Sequence, residues 1–110
     1  MWKVEISDEV AEWLRSLSAT DAATAHSRIN RLASDGSMLR MPHSKYLGQK
    51  LYELRFSLDN VNRRITYTFD EGTKVITLTT FHKQRQNEPR EVTRARRALK
   101  RYHDSKENDR

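Results

Sequence analysis

The amino-acid sequence predicts an α+β fold in the order β-α-α-β-β-β-α, with an antiparallel sheet packed on an N-terminal αα-hairpin and a basic C-terminal helix. Three observations carry this. Apolar residues recur with helical spacing before Gly36, alternate with a period of two after Pro42, and return to helical spacing after Pro89. A chain of 110 residues fits one domain. We place it at residues 1–104, with 105–110 as a frayed tail.

Val4 and Ile6 alternate with Lys3 and Glu5, which predicts a short first strand. Ser7 before Asp8 and Glu9 reads as a helix N-cap with acids in the first turn. Val10, Trp13, Leu14 and Leu17 then fall on one helical face. A second helix is expected from Thr20, burying Ala22, Ala25, Ile29 and Leu32 and stopping at Gly36. Past a loop carrying Pro42, Tyr52, Leu54, Phe56 and Leu58 share one strand face and leave Glu53 and Arg55 on the other. Asp59-Asn60 turns the chain. The next strand sets Ile65, Tyr67 and Phe69 against Arg64, Thr66 and Thr68, and Asp70 to Thr73 turns it again. A last strand runs from Lys74 to Phe81. Pro89, in a first helical turn, opens the C-terminal helix, whose thin stripe of Val92, Ala95 and Leu99 predicts light docking.

Composition narrows the chemistry. The absence of cysteine excludes disulfides, thiolate metal sites and thiol catalysis, and fits a reducing cytoplasm. No apolar run is long enough for a membrane span, so a soluble cytoplasmic protein without membrane partners is expected. The four histidines lie in different elements without ligand spacing, so neither metal nor cofactor is expected. No glycine-rich phosphate loop or nucleophile elbow is present. The 21 Lys and Arg exceed the 15 Asp and Glu by six. Residues 83–103 hold eight basic and two acidic residues, so the entire excess resides there. A localised basic stripe points to a polyanion or an acidic partner; the plainer alternative is a solvated helix face.

Arg55 and Arg64, on one face of neighbouring strands, would form a cationic concavity able to clamp a phosphate through planar hydrogen bonds. The alternative is pairing with Glu53. The segment Phe81 to Pro89 brings His82, Lys83 and Arg85 to the end of the sheet, where phosphate binding and proton transfer are natural, and Lys45 can join from the loop before the second strand.

The run Lys45-Tyr46-Leu47, Leu51-Tyr52-Glu53-Leu54-Arg55, Arg64-Ile65-Thr66-Tyr67, and Phe81-His82-Lys83 through Pro89-Arg90-Glu91 resembles the phage-derived HigB-like branch of the RelE toxin superfamily, over nearly the whole chain to about Leu99. The resemblance implies a RelE-like fold and the toxin of a type II toxin–antitoxin system. Such a toxin is a ribosome-dependent endoribonuclease of messenger RNA, restrained by an antitoxin, often a helix-turn-helix protein encoded beside it, through which alone it would meet DNA. By carry-over Lys45, Arg55, Arg64 and Lys83 line the cleavage site, with His82 as a further candidate. Arg85, Arg90, Arg94 and Arg97 of the basic stripe are expected to contact RNA. Gln84 stands where a second lysine is usual, which leaves Lys83 to act without it. Two other readings are a non-catalytic or ParE-like module that engages a protein, and a DNA-binding regulator, which the lack of a helix-turn-helix pattern disfavours.

Overall fold

In the computed structural model, which describes residues 1–108, a five-stranded sheet is ordered β1-β5-β4-β3-β2. Its strands are β1 (Lys3–Glu5), β2 (Ser44–Gly48), β3 (Leu51–Leu58), β4 (Val61–Asp70) and β5 (Lys74–His82). β1 runs parallel to β5 and all other pairs are antiparallel. Helices α1 (Asp8–Arg15) and α2 (Ala19–Asp35) cover one face, and α3 (Glu88–Asn108) covers the other.

The local signals act as read. Ser7 Oγ accepts the Val10 N–H and donates to the Leu78 carbonyl 2.9 Å away, so one hydroxyl caps α1 and ties it to β5. Ser18 caps α2 one residue earlier than the sequence suggests. Gly36 ends α2 at φ 48, where a Cβ would sit 2.1 Å from the Trp2 indole nitrogen, so both backbone and packing demand glycine. Asp59 and Asn60, at φ 51 and 63, form a two-residue hairpin turn that fixes the β3–β4 register.

The structure adds one strand. Ser44 to Gly48, expected as a loop, pairs with β3 as an edge strand. The Ser44 hydroxyl bonds the buried Tyr67 hydroxyl, and the Tyr46 ring lies 4.9 Å from that of Tyr52. These contacts come from distant residues, so no alternation announced the strand. The C-terminal helix also differs from expectation. It runs through Asn108 rather than fraying after Asp104, because Lys106 Nζ bonds Asp70 Oδ1 at 2.6 Å and the Tyr102 hydroxyl donates to Asp70 Oδ2. Residues 109–110 of the predicted tail lie outside the described residues.

Two cores result. The hairpin side buries Val10, Leu14, Ile29, Leu32, Leu54, Phe56, Ile65 and Tyr67, with Trp2, Trp13 and Phe69 at its border. The α3 side holds the smaller set of Leu51, Ile76, Leu78, Ala95 and Leu99 beside buried Glu53, Thr66 and Thr68. α3 is therefore held by polar staples as well as by apolar contact. Glu9 accepts the Thr80 N–H, while Arg94 binds Glu9 at 2.6 Å, Glu91 at 2.9 Å and the Thr80 carbonyl at 3.1 Å. This pair satisfies backbone groups of β5 beyond the end of its short partner β1, where an open sheet edge would otherwise begin.

Candidate functional site

Directly opposed residues of antiparallel strands share a face. The register places Arg55 opposite Arg64, Glu53 opposite Thr66 and Lys45 opposite Glu53, so Lys45, Glu53, Arg55 and Arg64 all lie on the face away from the hairpin. Glu53 is fully buried. Its Oε1 lies 3.3 Å from Arg64 Nε and 3.7 Å from Arg55 Nε, and neither carboxylate oxygen accepts a hydrogen bond. Arg64 Nη1 donates to the Arg63 carbonyl, and Arg55 Nη1 reaches the Met41 sulfur at 3.3 Å. Arg55 and Arg64, with Pro42, Phe56, Ser57 and Asn62, line a surface cavity of about 250 Å³.

The β5–α3 loop closes one side. Asn87 shapes it, its side chain donating to the His82 carbonyl and accepting the Gln84 N–H. Lys83 is anchored through its backbone N–H to the Asn62 carbonyl, and its Nζ donates to the Gln84 carbonyl and lies 3.7 Å from Glu88 Oε2. Glu88 in turn stands beside Glu53. Burial, first, and then the adjoining Glu88 carboxyl with its negative charge push the Glu53 carboxyl up to about 7, against the opposing pull of Arg64 and Arg55. Burial and the neighbouring Arg55 charge lower Arg64, which, as arginine, remains cationic.

The structure thus brings together Lys45, Arg55 and Arg64, and it links Lys83 to them through Glu88. The two arginines share a face, and they pair with Glu53. His82 departs from the expectation. It stands opposite Arg63, whose guanidinium lies over the Trp13 ring at 4.4 Å, so the strand register turns His82 toward the hairpin side. Arg94 departs too. Its guanidinium is engaged by Glu9, Glu91 and Thr80, and these carboxylates raise its pKa, so it fastens α3 instead of presenting a free cation. Arg85, Arg90 and Arg97 remain exposed. Glu88 was read only as one of two acids in a basic run; its placement against Glu53 depends on how α3 docks and has no local signal. Among the described residues, no three His, Asp or Glu side chains converge as metal ligands, and no helix is long and apolar enough to cross a membrane.

A family model described as phage derived protein Gp49-like matches residues 12–103. No curated protein sequence matches the chain. Among solved structures, a mutant of the E. coli toxin RelE in the free state is similar with a TM-score of 0.61 at 16% identity, over 91% of this chain and 96% of that one. A chain of the Mycobacterium tuberculosis toxin–antitoxin complex RelBE2 is similar with a TM-score of 0.53 at 19% identity, over 74% of this chain and 98% of that one. At such identities the likeness establishes the fold.

Proposed function

The chain belongs to the phage-derived Gp49-like family and has a RelE-like fold, and on that premise we propose that it is the toxin of a type II toxin–antitoxin pair, of the HigB-like kind, that cuts messenger RNA on the ribosome. The observation that carries this reading is the cross-strand pair Arg55 and Arg64, flanked by Lys45 and Lys83, at a surface cavity.

RNA supplies its own nucleophile, so the protein needs only to align the 2′-hydroxyl with the phosphorus, offset the added negative charge and move protons. In this reading Arg55 and Arg64 hold the non-bridging oxygens of the scissile phosphate. Lys45, on the same face, contacts the 2′-hydroxyl, whose proton is lost to water. The new 2′-O–P bond forms as the P–O5′ bond breaks, and Lys83 protonates the departing 5′-oxygen. The products are a 2′,3′-cyclic phosphate and a 5′-hydroxyl. Exposed Arg85, Arg90 and Arg97 follow the RNA backbone, with affinity that falls as salt rises. The partners are an antitoxin, expected to be a helix-turn-helix protein, and the translating ribosome.

The test is induction of the gene with and without its neighbour, followed by mapping of RNA 5′ ends, together with cleavage of ribosome-bound messenger in EDTA. Cutting that persists in EDTA, yields 5′-hydroxyl ends and fails at a 2′-deoxy position supports the mechanism. Loss in EDTA, or equal cutting of the deoxy substrate, overturns it. One observation favours a second reading. Arg64 is only 7% exposed and paired with Glu53, as suits a module that binds an antitoxin or another target protein without cutting. Growth arrest without new RNA ends identifies that case.

A further inference from the structure

Glu53 is the one carboxylate at the centre of a cationic site, and its environment is unusual on three counts. Its side chain is wholly buried, both oxygens lack hydrogen-bond donors, and it touches each arginine at Nε rather than through a bidentate fork. A pair serving only charge balance would gain more from the fork geometry. Contact at Nε fixes each guanidinium from one side while leaving the group as a whole at the cavity it lines.

The groups around Glu53 come from every element packed there: Lys45 on β2, Arg55 on β3, Arg64 and neutral Thr66 on β4, Lys83 in the β5–α3 loop, and Glu88 on α3. Glu88 alone among these is a second acid, and its side chain is 28% exposed, against none for Glu53.

We propose that Glu53 is a positioning residue of the arginine clamp, and that Glu53 takes up a proton when an RNA phosphate occupies Arg55 and Arg64. The RNA in this statement rests on the ribonuclease reading; the proton uptake does not. The sign follows from charge. A phosphate brings a negative charge next to the two arginines, which disfavours ionised Glu53, so binding raises its pKa and takes up a proton. Affinity for the anion then falls as pH rises through about 7, the value to which Glu53 is already pushed.

The experiment follows the Glu53 side-chain carboxyl by carbon-13 NMR across pH 5 to 9, alone and with a 2′-O-methyl single-stranded RNA that resists cutting. Binding of that RNA is measured in parallel by fluorescence anisotropy. Glu53 is expected to titrate near 7 alone and higher with RNA, and affinity to fall about fivefold from pH 6 to pH 8, within the tenfold per pH unit that one proton allows. Glu53→Gln should remove that part of the pH dependence while leaving whatever the histidines contribute. Glu88→Gln takes away the like charge and should move the Glu53 midpoint downward; it keeps the test sound if Glu53→Gln folds poorly. A Glu53 midpoint in the ordinary carboxylate range, or one that RNA does not move, overturns the proposal. Should the protein bind no RNA at any pH, the ribonuclease reading fails. Sulfate, whose charge is constant over this range, then decides the proton uptake by the same shift or its absence.

Discussion

The two faces of the sheet obey different physics. The face toward the hairpin is apolar and aromatic: Tyr52, Tyr67 and Phe69 contact one another through their rings, and Trp2 and Trp13 border the cluster. The face toward α3 buries Glu53, Arg64, Thr66 and Thr68 beside a few aliphatic side chains. Alternate residues of a single strand serve both, as in Arg64 and Ile65. One face supplies the hydrophobic free energy that folds the chain. The other carries the desolvation cost of buried charge, which in the proposed function is kept for holding an RNA phosphate.

Arg64→Ala breaks this division most strongly. It removes the closer partner of a buried carboxylate and should destabilise the protein by about 3–5 kcal/mol near pH 8, measured by urea denaturation. The loss should shrink toward pH 5. Because the Glu53 pKa is raised on folding, its favourable neutral form is fully present below the unfolded value and is lost as pH rises through about 7. RNA cleavage should vanish as well. On the opposite face, Ile65→Ala should cost about 2–5 kcal/mol at every pH in that range, with cleavage per folded molecule retained. A pH-dependent loss at Ile65 would contradict the separation of the faces.

Lys83→Ala sharpens the contrast from the site side. Its ion pair is partly exposed, so the melting temperature should barely change while cleavage falls about 10²-fold or more. Gly36→Ala tests the border of the hairpin core, where the added methyl meets Trp2 at a left-handed φ, and should cost about 1–3 kcal/mol without altering RNA affinity. The smallest effect is expected at Asp70→Asn. Bonds from Lys106 and Tyr102 hold the Asp70 carboxyl well below the usual range despite partial burial. That stability is present above the ordinary carboxylate pKa and fades in acid, so the variant should lose on the order of 1 kcal/mol at neutral pH and progressively less in acid, with α3 fraying first in hydrogen exchange.

Alternation of Arg55 with Leu54 and Phe56, and of Arg64 with Ile65, already set both arginines on the face away from the aromatic core, and the two-residue Asp59-Asn60 turn set them opposite each other. Period, cap and turn are properties of a few neighbouring residues, so the order of the three helices and of every strand except β2, and the shared face of the arginine pair, were legible in the sequence. Which charges stay free was decided only by the tertiary structure. Arg94 and Arg97 are three residues apart in one basic run, yet Arg94 is taken up by Glu9 from 85 positions away while Arg97 is exposed. Strand β2, the turning of His82 toward the hairpin side and the meeting of Glu88 with Glu53 have the same origin. Each is a contact between groups distant along the chain, whose energy exists only once helix and sheet have closed over them.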